Sequence, residues 1–141
     1  MKKVLIAGAS GLASEVVSWS ASIFEVVGYT TPKKSKENEF LLPGTGYSDE
    51  EVSPEIAGTD QILFGIASPK VKRILHDFYK NKGFKFPKLI HSSSTISSSV
   101  KLSEGVIIGP NCVISPNVSI GAMCYINFQC GIGHDSIISD Y

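Results

Sequence analysis

The stretch IHSSSTISSSVKLSEGVIIGPNCVISPNVSIGAMCYINFQCGIGHDSIISDY, residues 90–141, repeats itself every six residues. Counting in sixes from its first position gives Ile90, Ile96, Leu102, Ile108, Ile114, Ile120, Ile126, Ile132 and Ile138. Every one is Ile or Leu. The residue after each is mostly small or polar, as at Ser97, Ser103, Gly109, Ser115, Gly121 and Gly133. The residue four after each is small or β-branched: Ser94, Val100, Val106, Cys112, Val118, Cys124, Cys130 and Ser136. An α-helix repeats near 3.6 residues and an isolated strand repeats at 2, so neither explains six. Six residues make one short strand and one tight corner. Three such units close a coil, and coils stack around one continuous apolar column. The nine Ile/Leu positions point into that column. The position four later also points in, near a corner, where a small side chain fits.

This register decides the role of the cysteines. Cys112, Cys124 and Cys130 all fall on the small inward position, show no CxxC spacing and are odd in number. They are read as small buried hydrophobes, with neither a disulfide framework nor a metal site implied. Eighteen residues make a coil, so residues 90–107 and 108–125 are two, and residues 126–141 begin a third. Solenoids normally finish on a polar capping segment. Ile137 and Ile138 stand close to Tyr141 with no cap after them, and the expectation is a β-helix truncated in its third coil.

Upstream of the repeat the composition changes. Residues 1–89 hold 12 of the 13 Lys and Arg and 10 of the 13 Asp and Glu, which indicates two architectures in one chain. Domains are expected at 1–88 and 89–141. The formal net charge is zero, so no general attraction to nucleic acid or to an anionic membrane is expected. The apolar run Val4–Ala9 is too short for a signal segment or a membrane span, and a cytoplasmic protein is expected.

The first domain opens with a buried strand, Lys3 to Gly8, a tight turn at Gly8-Ala9-Ser10-Gly11, and a helix over 13–24 with Glu15 in its first turn. A strand over 25–29 follows. This β-turn-α-β order is that of a doubly wound, Rossmann-like parallel sheet. A further strand is expected at 62–66 and a helix at 70–82, with Val71, Ile74, Leu75 and Phe78 on its apolar face and His76 in solvent. Residues 32–57 are polar, bear Pro and Gly, and read as loop with room for a short strand or a helical turn. The Gly8–Gly11 turn suits a phosphate at a helix N-terminus, and it equally suits close packing of strand on helix. A dinucleotide site is disfavoured: Ser14 stands where a third glycine belongs, and Thr30-Thr31-Pro32 follow the second strand where an NAD ribose requires a carboxylate.

An α/β domain followed by Phe86-Pro87-Lys88-Leu89-Ile90-His91 and then hexapeptides resembles the sialic acid and bacillosamine acetyltransferase family. The resemblance rests on the turn at 8–11, that junction, the repeat, and INFQCGIGHD at 126–135. It implies a left-handed parallel β-helix and a homotrimer with active sites between neighbouring β-helices. It also implies acetyl-CoA as donor and a nucleotide-linked sugar acceptor held by the first domain. The family pattern places Asn, catalytic His and an acidic residue at Asn127, His134 and Asp135, and substrate contacts at Gly8, Ser10, Gly11 and Leu12. Where the family carries acidic residues after the second strand, this chain has Thr30 and Thr31. Leu12 stands where its glycine turn often has a His.

The chemistry expected is acetyl transfer to an amine or hydroxyl of an amino sugar or sugar nucleotide in surface-glycan synthesis. His134 follows an inward Ile by two positions, so it projects outward at a corner. Its imidazole suits proton removal near neutral pH, with Asp135 orienting the ring. His91 is read as a turn residue. The form ending at Tyr141 is expected to be inactive, since later coils would complete the donor site. The alternative is a non-catalytic module that binds a nucleotide sugar, or assembles, on the same scaffold.

Overall fold

The computed structural model describes residues 1–33 and 40–141. They form two compact units, Met1–Phe86 and Pro87–Tyr141. In the first, β1 (Lys2–Ala7), α1 (Gly11–Ser20), β2 (Phe24–Thr31), β3 (Thr45–Ser48), α2 (Pro54–Ala57), β4 (Ile62–Phe64) and α3 (Pro69–Asn81) follow in order. The strands form one parallel sheet of order β3-β2-β1-β4. Val4, Leu5, Ile6 and Ala7 are fully buried, as a continuous apolar run in a covered parallel strand should be. Helix α1 starts earlier than the sequence indicated and stops at Ser20, because β2 already begins at Phe24; its first turn has no acidic residue. The segment read as loop over 32–57 carries β3 and α2, and its residues 34–39 lie outside the described residues.

Two glycines permit close approach at the ends of β1 and β4. Gly8 follows β1 with φ of 101°, and a Cβ there would lie 2.8 Å from the Gly65 carbonyl oxygen. A Cβ on Gly65 would lie 2.4 Å from the Cα of Ala13 in α1. Both positions require the missing side chain.

Helix α3 corrects the expectation in its orientation. Val71 and Ile74 are exposed, and the buried stripe is Lys72, His76 and Tyr79. These are spaced i, i+4 and i+7, one face of the helix. His76 therefore lies in the core, its ring edge-on to Phe86 at 4.5 Å. Tyr79 meets Phe64 and Phe84 edge-to-face at 5.9 and 5.5 Å. Amphipathic side chains with large apolar bodies fill this interior, and an apolarity count does not see them.

In the second unit, nine two-residue strands run from β5 (Leu89–Ile90) through β6 (Thr95–Ile96), β7 (Lys101–Leu102), β8 (Ile107–Ile108), β9 (Val113–Ile114), β10 (Ser119–Ile120), β11 (Tyr125–Ile126) and β12 (Gly131–Ile132) to β13 (Ile137–Ile138). They stack as three parallel sheets, β11-β8-β5, β12-β9-β6 and β13-β10-β7. This is a parallel β-helix in the register read from the sequence: each Ile or Leu of the series is the second residue of its strand. Ile108, Ile114, Ile120, Val106, Val118, Cys112 and Cys124 form its buried centre. The cysteines are free, and the thiols of Cys112 and Cys124 donate to the carbonyls of Asn127 and Ser139. Serines brace the corners: Ser94 Oγ accepts from Cys112 N–H and donates to Gly109 C=O, while Ser99 Oγ accepts from Asn117 N–H one coil on.

From the corner after β7 onward, one position in each corner is left-handed. Gly105, Asn111, Asn117, Met123, Gln129, Asp135 and Tyr141 all have φ between 57° and 67°. Asn and Asp tolerate this conformation better than other non-glycine residues. Gln129 is exposed and gains nothing from its type there. Gln129→Asn is expected to stabilise the protein by about 0.5–1 kcal/mol, read as a higher denaturation midpoint at unchanged m-value. A lower midpoint would show that Gln129 makes a contribution beyond its backbone.

Candidate functional site

The strand order reverses between β1 and β4, and in open α/β sheets ligands bind at the carboxyl ends of strands flanking such a point. A cleft of about 340 Å³ lies there. Gly8, Ala9 and Ser10 come from the end of β1, Gly65 to Ser68 from the end of β4, Pro32 from beyond β2, Asp49 from beyond β3, and Val71 and Leu75 from α3. It sits at the starts of two helices, α1 and α3, whose N-terminal amides favour anions. The Ser68 hydroxyl accepts from Val71 N–H and caps α3. The Ser10 side chain makes no such bond to α1.

Asp49 is the acid of this cleft, and it is held from several sides. Its N–H donates to Thr31 C=O at 2.8 Å, joining the end of β3 to the end of β2. The Tyr79 hydroxyl donates to its Oδ1 at 2.5 Å and lies 2.7 Å from the Thr30 hydroxyl. Thr30 and Tyr79 are fully buried. Burial, reinforced by the adjacent Asp49 carboxylate, pushes the Tyr79 phenol well above its ordinary range, so it stays a donor at neutral pH. Lys82 then ties down the loop: its ammonium donates to the carbonyls of Asp49, Glu50 and Val52 at 2.8, 2.5 and 2.9 Å. Tyr79→Phe removes the shared donor and is expected to cost about 1–3 kcal/mol. Chemical denaturation measures this, and a cost under about 0.5 kcal/mol, ordinary for a surface substitution, would show the phenol is dispensable.

The second group of predicted residues lies on the β-helix. His134 and Asp135 occupy the corner between β12 and β13, with Nδ1 of the ring 2.7 Å from Asp135 Oδ2. Both are exposed, with side chains 81% and 65% accessible, so a substrate or another chain can reach the ring. Asn127 sits at the preceding corner. Its Oδ1 accepts from Tyr125 O–H at 2.9 Å and from Phe128 N–H at 2.8 Å, which leaves its NH₂ as the outward group.

The predicted substrate residues separate. Gly8 and Ser10 line the cleft; Gly11 and Leu12 begin α1 and are not among its lining residues. His91 is a turn residue, its Nδ1 at 2.8 Å from Ser93 Oγ. Sequence reasoning missed Asp49 because no motif surrounds it. Its only signal is an acidic run, Asp49-Glu50-Glu51, after Gly46-Tyr47-Ser48. No group of three or more His, Cys, Asp or Glu suited to a metal occurs among the described residues. No helix among them is long and apolar enough to cross a membrane.

No family model and no curated protein matches the chain. Solved structures do match in fold. A histidine-to-asparagine variant of perosamine N-acetyltransferase from Caulobacter crescentus, in complex with CoA and GDP-perosamine, superposes with a TM-score of 0.84 at 22% identity. That match covers 99% of this chain and 66% of the other. The acetyltransferase domain of PglB from Neisseria gonorrhoeae gives 0.82 at 21% identity, covering 99% and 69%. WeeI from Acinetobacter baumannii gives 0.78 at 16% identity, covering 99% and 67%. The chain thus spans about two thirds of the length of these structures.

Proposed function

We propose that the chain belongs to an acetyl-CoA-dependent acetyltransferase that acetylates an amino sugar or sugar nucleotide in surface-glycan synthesis, with His134 as general base. The observation that carries this is the exposed His134–Asp135 pair on a β-helix corner, in a fold shared with sugar acetyltransferases that bind CoA or acetyl-CoA. An Nδ1–H donated to Asp135 leaves the Nε2 lone pair to accept a proton. The acceptor amine or hydroxyl attacks the thioester carbonyl and passes its proton to His134. The new C–N or C–O bond forms, the C–S bond breaks, and the proton returns to the departing CoA thiolate. No covalent enzyme intermediate is needed when donor and acceptor are held together. The Asn127 NH₂ would donate to substrate.

The cleft at Gly8 and Ser10 would take the nucleotide of the acceptor, its phosphates at the helix starts. A homotrimer would draw on outward apolar residues such as Val113 and Phe128. The test is acetyl transfer from acetyl-CoA to a panel of amino-sugar nucleotides and the matching free sugars by the full protein. Turnover on the nucleotide-linked sugars is expected. Binding without turnover would favour a non-catalytic module on the same scaffold.

A further inference from the structure

We infer that Asp49 reads the nucleobase of the acceptor, accepting an in-plane N–H from a base whose faces lie against the apolar walls of the cleft. This deepens the proposed function and rests on its nucleotide-linked acceptor. Two chemically distinct groups line the cleft. Gly8, Ala9 and Ser10 lie at the start of α1, where an anion is favoured. Asp49 repels an anion, so the phosphates and this carboxylate belong to different parts of one ligand. Pro32, Ile66, Val71 and Leu75 also line the cleft, apolar side chains that suit the faces of a flat ring better than a polyhydroxylated sugar.

The carboxylate can only accept hydrogen bonds. Oδ1 already takes the Tyr79 hydroxyl, leaving Oδ2 to the ligand. The orientation is set before any ligand arrives: Tyr79 fixes the side chain, Thr31 C=O fixes its amide, and Lys82 fixes the loop behind it. Such rigidity is what a specificity contact requires, because no ordering cost is incurred on binding. The acidic group comes from beyond β3, and the Thr30 hydroxyl sits beneath the tyrosine that orients it.

The test is isothermal titration of the full protein with GDP, UDP, 1-methyl-GDP, 3-methyl-UDP and 2′-deoxy-GDP. For whichever unmodified nucleotide binds, methylating the base N–H is expected to weaken binding about tenfold or more, and Asp49→Asn about 10- to 100-fold. The variant should no longer distinguish methylated from unmethylated base, and 2′-deoxy-GDP should bind like GDP. A cooperative melt of the variant shows that it folds. Because the methylated nucleotides probe the wild-type protein, the result does not hang on the variant alone. Equal binding of methylated and unmethylated bases overturns the inference, as does sensitivity confined to the 2′-hydroxyl, which would assign Asp49 to the ribose. An Asp49→Asn variant that binds like wild type also overturns it, while leaving the acetyltransferase reading intact. Failure of the wild-type protein to bind GDP or UDP removes the inference as well, and the acetyl-transfer assay then judges the proposed function separately.

Discussion

His134→Ala is expected to lower the rate of acetyl transfer by about 10²–10⁴-fold, the usual contribution of a positioned general base. The loss should appear in kcat, with acceptor KM little changed, because the proton moves only in the transition state. Stability should be nearly unchanged, since the ring is exposed and its bond is to the adjacent Asp135. The partner residue needs a more careful substitution. Asp135 has φ of 61°, so alanine there would add backbone strain to the loss of the carboxylate. Asparagine tolerates that conformation and keeps an oxygen for Nδ1–H. Asp135→Asn therefore isolates the charge, and a smaller loss than that of His134→Ala is expected. Measuring kcat/KM against pH for both variants separates the roles. If His134→Ala retained the wild-type rate, the base would have to be sought elsewhere.

Ile114→Ala is expected to destabilise the β-helix by about 2–5 kcal/mol. Ile114 is fully buried and lies in register between Ile96 and Ile132, the middle of a three-residue column. Truncation opens a cavity that neighbours on both adjoining coils cannot fill without breaking the corner hydrogen bonds. A domain is typically stable by only about 5–15 kcal/mol, so this is a large share. Hydrogen exchange localises the effect, with protection expected to fall at residues 87–141. Ile137 is the control: it is 83% exposed, and Ile137→Ala should cost less than about 0.5 kcal/mol. Equal costs at the two positions would mean that the inward column does not stabilise the fold.

The β-helix was legible because its instructions are local and repeated. A side chain at Ile108 and one at Ile126 face the same environment one coil apart, so the period declares which positions point inward. The same register placed the cysteines in or against the core and His134 outside it. The α/β unit was legible only in outline. Its first strand and helices announced themselves by hydrophobic runs and a glycine turn, but the face that α3 buries did not follow from apolarity. His76 and Tyr79 are buried because Phe64, Phe84 and Phe86 form an aromatic surround, and that surround is assembled from other elements.

Asp49 shows the same limit at the cleft. In the chain it is one acid in a polar stretch, 19 residues from Thr30 and 30 from Tyr79. It becomes the acid of the cleft because β3 pairs beside β2, with Thr31 opposite Ser48, and because α3 brings a buried phenol against it. The sequence alone determined the six-residue register, the inward column and the outward corner of His134, since each of these depends on neighbours within a few residues. Only the tertiary structure decided which acid serves the cleft and which histidine is buried. Those depend on strand order and helix rotation, which are set by packing across the whole unit.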